Sequence, residues 1–211
     1  MMDTKKTVTN EKRKISGVTN VRYLTVTAML SAAAFVLMFL EFSLPLLMPD
    51  FIKMDLSELP ALIGAFSMGP MCGVLICLIK NVLHLMIGTT GGIGELSNFL
   101  LGVAFVLPAG LIYKHKKNRK NALLGSLSGA VVMAVFSVIS NYFLVYPFYY
   151  NMMPEETILA AYRFIAPSME NMLQCLICFN MPFTFVKGIF SVIITFVIYK
   201  HISPILKGNR H

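Results

Sequence analysis

Residues 59–87 read LPALIGAFSMGPMCGVLICLIKNVLHLMI, an apolar stretch that the pair Gly69-Pro70 interrupts near its middle. Proline cannot continue an α-helix and glycine favours the end of one, so the stretch is predicted to form two helices rather than one. This choice decides the fold, because it sets how many times the chain crosses a membrane.

The whole chain is too apolar for a water-soluble domain. Of its 211 residues, 56% are hydrophobic and 13% are charged, and its mean hydropathy is +0.71, whereas a soluble domain of this size needs far more polar surface. The four cysteines lie inside apolar runs rather than at the spacings of a disulfide framework, so we expect reduced thiols. The composition predicts an all-α, multi-pass integral membrane protein.

Six apolar runs, separated by charged or turn-forming segments, predict six transmembrane helices within one membrane domain at 23–201. The predicted helices are 23–44, 56–67, 70–88, 94–114, 121–147 and 173–201. A basic tail at 1–22 precedes the domain and a short tail at 202–211 follows it. The segment 147–171, which contains three prolines, has room for a further short helix.

The basic residues test this count, because Lys and Arg tend to stay in the cytoplasm. Of the 18 Lys and Arg residues, six lie in the N-terminal tail, five in the loop 114–120 and three near the C-terminus. An even number of crossings must separate these three places, and four plus two crossings satisfy that condition with both termini cytoplasmic. A single helix over 59–87 would leave three crossings between the N-terminal tail and the loop 114–120, and these two basic segments would then lie on opposite sides of the membrane. The clustering in short segments also argues against nucleic acid as a partner.

The sequence lacks the motifs of several enzyme classes. It contains no GxxxxGK[ST], HExxH or GxSxG string. The sequence therefore lacks the motifs of P-loop nucleotide hydrolases, zinc metalloproteases and α/β-hydrolases. Cys175 and Cys178 have CxxC spacing but lie in an apolar run without a second pair, which favours packing over metal binding. We predict no enzyme activity and no metal site.

Two lysines lie at membrane depth, where a charge costs about 2.5 to 3.5 kcal/mol on insertion scales and therefore marks a candidate site. Lys80 lies in the third predicted helix, with Asn81 beside it and His84 one turn later. Lys80 has two interpretations that the sequence does not decide between. It could form a structural ion pair with Glu41 or Glu95, or it could have a functional role. Asp55 is expected to cap the second helix together with Glu58, three residues later.

The second lysine, Lys187, belongs to the last predicted helix one turn after Thr184. Asn141, in the fifth helix, is followed by an aromatic segment that ends at Tyr150. We predict a pocket between these two helices, near the outer surface, with Asn141, Thr184 and Lys187 in an apolar and aromatic lining. Such a pocket suits a flat, mostly uncharged ligand.

Two patterns of small residues predict close helix packing. Ala28 and Ala32 form one, and Gly125 and Gly129 form the other. From the residues alone, packing within the chain is the favoured interpretation of both.

Several motifs together resemble one family of transport proteins. They are the run KMDLSELPALIG at 53–64, the Gly69-Pro70 break, Lys80-Asn81, and the run GTTGGIGELSNFLLG at 88–102. In these features the chain resembles the riboflavin-binding substrate (S) components, the RibU family, of energy-coupling factor (ECF) vitamin transporters.

The resemblance implies the six-helix S-component fold and a subunit embedded in a prokaryotic plasma membrane. Such a subunit captures riboflavin from outside for ATP-driven uptake. Riboflavin would be a transported ligand rather than a cofactor. The implied partners are a transmembrane coupling subunit, two ABC ATPases that hydrolyse the ATP, and the lipid bilayer. In this family an Ala-xxx-Ala face of the first helix docks on the coupling subunit, which here implies Ala28 and Ala32.

The resemblance also implies ligand contacts. Asn141 and Lys187 fit the family pattern, whereas Thr184 stands where a second asparagine is expected. The remaining candidate contacts are Tyr142, Glu95 and Asn98, with Leu46 and Leu47 in a lid over the outer mouth.

Two other interpretations stay open. The departure at Thr184 permits an S component for another aromatic vitamin or a purine-like precursor. A small intramembrane enzyme or assembly factor would instead use Lys80, His84 and Glu95 as its polar groups.

Overall fold

The structure, a computed structural model, describes residues 3–43, 53–88, 91–151 and 154–207, and within these the side chains of residues 21 to 198. Almost all of this part of the chain is helical. Its helices and strands are α1 (Asp3–Phe39), β1 (Phe42–Ser43), β2 (Lys53–Met54), α2 (Glu58–Met68), α3 (Pro70–Leu85), α4 (Ile93–His115), α5 (Arg119–Ser140), α6 (Tyr146–Tyr149), α7 (Glu155–Ile165), α8 (Met172–Cys175) and α9 (Met181–Lys207).

Four helical segments in the described residues are long and apolar enough to cross a membrane: Val21–Phe39, Ile93–His115, Arg119–Tyr149 and Met172–Ile198. The helices α2 and α3 are apolar but shorter, with 11 and 16 residues. The bilayer therefore explains why large apolar side chains on the outside of this bundle, such as Phe143 and Val197, are exposed.

The predicted break between the second and third helices is confirmed. Gly69 separates α2 from α3 with φ of 107°, a conformation that favours glycine, and Pro70 is the first residue of α3. The Gly69 N–H still donates to the carbonyl oxygen of Ala65 at 3.1 Å, so the end of α2 is satisfied. The two helices then pack against each other and against α4.

Some boundaries differ from the predicted ones. α1 begins at Asp3 and ends at Phe39 instead of spanning 23–44, because Phe42 and Ser43 are extended and pair with Met54 and Lys53 in an antiparallel ribbon. An eleven-residue helix, α7, occupies the segment 147–171. Helix ends depend on such pairings, which hydropathy does not report.

Close approach between α4 and α5 depends on the glycine pattern of α5. A Cβ atom on Gly125 would lie 2.8 Å from the carbonyl oxygen of Ala109, and one on Gly129 would collide with the carbonyl oxygen of Phe105. The interpretation of this pattern as packing within the chain is confirmed. Ala28 and Ala32 differ, because both are exposed on α1.

Two π-helical turns interrupt the long helices. The first π turn (Asn141–Val145) joins α5 to α6, and the second π turn (Leu176–Asn180) joins α8 to α9. A π turn places an extra residue in the helical repeat, and such turns are frequent at functional sites. Each π turn carries a buried asparagine, Asn141 in the first and Asn180 in the second.

Candidate functional site

A cavity of about 240 Å³ lies where α2, α4, α9 and the two π turns meet. Its volume is just below the 300 to 1,000 Å³ that is typical of small-molecule sites. The polar residues that line it are Glu41, Lys53, Asp55, Glu58, His84, Glu95, Ser97, Asn98, Asn141, Asn180, Thr184 and Lys187. The apolar and aromatic lining includes Met38, Leu101, Met133, Val145, Tyr146, Tyr149 and Phe183.

One side of the cavity is built from four charged groups, which we call the charge cluster: Asp55, Glu58, Lys80 and Lys187. Lys187 Nζ lies 2.8 Å from Asp55 Oδ2 and 3.3 Å from Glu58 Oε2. Lys80 is fully buried and its Nζ lies 3.1 Å from Glu58 Oε1. Two carboxylates and two ammonium groups cancel, so the cluster is neutral as a whole, and burying it is feasible because each charge has a partner.

This arrangement corrects two expectations. Lys80 pairs with Glu58 and also donates to the Ser57 hydroxyl, rather than pairing with Glu41 or Glu95. Asp55 and Glu58 do not form a capping box. α2 begins only at Glu58, and both carboxylates face lysines from other helices.

The segment before α2 holds Asp55 in place. Asp55 Oδ1 accepts the backbone N–H of Ser57 at 2.8 Å and the hydroxyl of the same residue. Burial alone would raise the pKa of Asp55, but the positive charges of Lys187 and Lys80 outweigh it and hold that pKa well below its usual range. Asp55 is therefore a carboxylate at physiological pH, and its pair with Lys187 stays ionic.

Two further pairs lie at the rim of the cavity. Lys53 on β2 pairs with Glu41 next to β1, and this pair is largely exposed. His84 Nδ1 lies 2.8 Å from Glu95 Oε1, which joins the end of α3 to the start of α4. Glu41 and Glu95 therefore pair with Lys53 and His84, respectively, and neither pairs with Lys80.

A second part of the cavity lining is neutral, and we call it and its support the amide side: Asn141, Asn180 and their neighbours Tyr146 and Tyr162. Tyr162, on α7, donates its hydroxyl to Asn180 Oδ1 at 2.6 Å and lies 2.6 Å from the hydroxyl of Tyr146. Burial, followed by the neighbouring Tyr146, raises the pKa of Tyr162 above its usual value, so this hydroxyl keeps its proton. The Asn141 amide makes no hydrogen bond to any residue that the structure describes.

Most of the predicted contacts converge on this one cavity. Asn141, Thr184, Lys187, Glu95 and Asn98 all line it, although whether they touch a ligand stays a prediction. Tyr142 does not line it: its side chain is 43% exposed and its ring packs edge-on against Phe143. Leu46 and Leu47 lie outside the described residues.

Sequence reasoning missed several members of the site. Asn180 is seven residues before Lys187 and four before Thr184, which is the spacing of one helix face and could have revealed it. Asp55 and Glu58 gave no such signal, because their partners are distant in sequence and their acidic pattern resembles an ordinary helix start.

The arrangement is suited to binding a flat ligand with polar edges. Ammonium and amide groups can donate to ligand carbonyls, the Thr184 hydroxyl can donate or accept, and the aromatic rings of Tyr149 and Phe183 offer apolar walls.

Comparison with known proteins assigns the chain to a protein family. Residues 22–199 match the family described as "ECF transporter, substrate-specific component". The chain is 32% identical over 198 residues to "Riboflavin transporter RibU" of Staphylococcus aureus (strain TCH60), which covers 94% of this chain and 98% of that protein. It is also 32% identical over 195 residues to "Riboflavin transporter FmnP" of Bacillus subtilis (strain 168), covering 90% and 96%. A solved structure of the S component of a bacterial ECF transporter superposes with a TM-score of 0.71 at 31% identity, over 89% of this chain and 99% of that one.

Proposed function

The chain belongs to the family of substrate-specific components of ECF transporters, and from that premise we propose that it captures riboflavin in the cavity between the charge cluster and the amide side. It is a transport component of the cell membrane rather than an enzyme. The ligand would be cargo, bound and released unchanged.

One observation carries the choice of ligand: hydrogen-bond donors from two helices converge on one aromatic-lined cavity. Asn141, Asn180 and Lys187 come from both sides of it. Riboflavin's pyrimidine edge offers two carbonyl acceptors and an imide N–H, which amides and an ammonium group complement. Its dimethylbenzene end needs apolar wall, which Phe183 and Met133 supply.

For the membrane topology we propose six crossings with both termini cytoplasmic. Four long segments supply four crossings. α3, with 16 residues, covers about 24 Å at a rise of 1.5 Å per residue, and α2, with 11 residues, covers about 16 Å. α2 can serve as the short crossing because the buried segment before it, including Asp55, already lies inside the bundle. Cysteine labelling from either side of intact cells, at positions 10 and 118, should place both on the cytoplasmic face.

The binding proposal is tested by the colour of the protein. Flavins absorb visible light, so the chain purified in mild detergent should either be yellow or become yellow after incubation with riboflavin and removal of free vitamin. The Lys187→Met variant should lose most of the colour, whereas Lys116→Met, at an exposed position after α4 and outside the cavity lining, should keep it. A wild-type protein that stays colourless with riboflavin contradicts the proposal, and a panel of other aromatic vitamins and purine-like compounds then identifies the ligand.

For partners we propose a transmembrane coupling subunit with two ABC ATPases, docked at the exposed Ala28 and Ala32 of α1. Small residues at an exposed helix face let another helix approach closely. The opposite face of α1, with Thr27, Ser31 and Ala34, is buried inside the chain and is not available. Ala28→Leu with Ala32→Leu should abolish riboflavin uptake in cells that contain the ATPase module, and should leave binding in detergent within about twofold. The same changes at Ala33 and Val36 are the control.

A further inference from the structure

A relay of three polar groups connects α7 with the cavity. Tyr162 is fully buried in α7, outside the cavity lining, and its hydroxyl oxygen lies 2.6 Å from the Tyr146 hydroxyl and 2.6 Å from Asn180 Oδ1. Tyr146 and Asn180 both line the cavity, but Tyr162 does not. The relay therefore lets a residue with no access to the ligand act on two residues that have it.

The direction of the relay follows from proton counting. A phenol has one proton, and Tyr162 donates it to Asn180 Oδ1. The Tyr146 hydroxyl must then donate to the oxygen of Tyr162. Both separations of 2.6 Å are typical of O–H···O bonds and are short for N–H···O bonds, which centre near 2.9 to 3.0 Å. The carbonyl oxygen of Asn180 therefore faces Tyr162.

An amide held by its oxygen presents its nitrogen elsewhere. The Asn180 side chain is buried but reaches the cavity, and it interacts with the Tyr146 hydroxyl as well as with Tyr162. An amide nitrogen carries two N–H bonds, so with its oxygen held by Tyr162 and one N–H directed at Tyr146 the second N–H remains for a ligand. Asn141, which also belongs to the amide side, has no comparable anchor among the described residues, so its amide can turn to present either atom.

Resting on the riboflavin function above, we propose that Tyr162 is a positioning residue that fixes Asn180 as a hydrogen-bond donor, so that the cavity selects ligands with a carbonyl group at this point. Riboflavin has two such groups, at the 2 and 4 positions of its pyrimidine ring. A ligand whose edge carries only N–H donors there would leave this Asn180 N–H without a partner and is rejected.

The hydroxyl can be removed without changing the packing. The Tyr162 ring is surrounded by apolar neighbours that include Ile158, Leu159 and Leu176, and Tyr162→Phe keeps all of these contacts. Tyr150→Phe is a matched control, because Tyr150 packs against the same apolar cluster and its hydroxyl interacts with Glu155, away from the relay.

The experiment measures discrimination between carbonyl and thiocarbonyl ligands. Dissociation constants of riboflavin, 2-thioriboflavin and 4-thioriboflavin are determined by fluorescence or absorbance titration, because sulfur is a poorer acceptor than oxygen. Asn180→Leu gives the discrimination that comes from the larger size of sulfur alone. Relative to that baseline, the wild type and Tyr150→Phe should bind one of the two thio analogues about tenfold more weakly than riboflavin.

In Tyr162→Phe this extra discrimination should fall to about twofold or less, since the amide is free to rotate. Combining it with Asn180→Leu should cause no further loss, because both changes remove the same fixed donor. Discrimination unchanged in Tyr162→Phe, or equal in wild type and Asn180→Leu, would overturn the positioning role while leaving riboflavin binding established. A wild type that binds no riboflavin at all would instead overturn the function on which the proposal rests.

Discussion

On the side of α2, α3 and α9 the charge cluster pairs four ionic groups with one another, whereas on the amide side two asparagines direct hydrogen-bonding groups into the cavity. Each charge of the cluster has an ionic partner without a ligand, although Glu58 Oε2 accepts no hydrogen bond from the described residues. Buried ion pairs add little net stability compared with apolar packing, but breaking one is costly. The charge cluster therefore holds α2, α3 and α9 in register, while the asparagines of the amide side keep hydrogen-bonding groups available for a ligand. Asp55, Glu58 and Lys187 of the charge cluster also line the cavity, and Lys187 is the hydrogen-bond donor among these three.

The largest expected effect comes from removing one charge of the cluster. Lys80→Met leaves two carboxylates with a single lysine in the interior, and should lower the free energy of unfolding by about 3 to 5 kcal/mol. Unfolding titrations in mixed micelles measure it. Lys80→Met with Glu58→Met leaves the matched pair of Asp55 and Lys187 and should recover most of the loss.

The matched control is the exposed rim pair. Lys53→Met should cost less than about 1 kcal/mol, because solvent screens that pair. A Lys80→Met protein no less stable than Lys53→Met would show that the charge cluster does not hold α3 to α2.

The next effect concerns Lys187, the hydrogen-bond donor of the charge cluster that lines the cavity. Lys187→Met should weaken riboflavin binding by about 10 to 150 fold, the range for a hydrogen bond from a charged donor. Because the variant also leaves Asp55 without its partner, binding is measured again in Lys187→Met with Asp55→Asn, which restores neutrality. If neutrality alone rescues affinity, Lys187 serves the charge cluster and does not touch the ligand.

A pH titration separates the two roles further. In the wild type the low pKa of Asp55 means that its stabilising charge is present above the unfolded value near 3.9 and is lost only as pH falls through the still lower folded value. Between pH 8 and pH 5 this pair should therefore contribute no change in stability.

In Lys187→Met the contribution of Asp55 to the pH dependence of the free energy of unfolding should change sign. Burial, the largest influence, then raises the pKa of Asp55, because the remaining Lys80 already pairs with Glu58. Protons bind the folded state more tightly, and stability should increase as pH falls, by at most about 1.4 kcal/mol per pH unit. The variant that also carries Asp55→Asn lacks this group and should lose the extra slope. An equal slope in both variants would assign the titration to another group.

The smallest effects are expected on the amide side. Asn141→Leu removes one neutral hydrogen bond and should weaken riboflavin binding by about 2 to 13 fold without lowering stability, since Asn141 has no partner among the described residues to leave unpaired. Thr184→Asn should strengthen binding by a few fold, because an amide adds a second polar arm. An Asn141→Leu protein that unfolds like Lys80→Met would remove the distinction between the two sides.

Sequence patterns predicted much of the fold and part of the site. Hydropathy identified the apolar helices, the Gly69-Pro70 pair identified the break, and short motifs identified the family. These features are local, because a helix break or an apolar run depends on neighbouring residues. Five of the eight predicted ligand contacts line one cavity. Asn141, Thr184 and Lys187 were visible as polar residues at membrane depth, and Glu95 and Asn98 came from the family resemblance.

Tertiary structure decided the rest. Asp55 and Lys187 are 132 residues apart, so only the packing of α2 beside α9 makes them partners. The π turns shift the phase of two helices after Asn141 and before Asn180, which no regular repeat anticipates, and this shift is consistent with Tyr142 lying outside the cavity. Hydropathy marks the apolar segments that are able to enter a membrane, because the free energy of transfer into lipid is a sum over local residues. Which polar groups meet there depends on helix adjacency and rotation, and those exist only in the folded bundle.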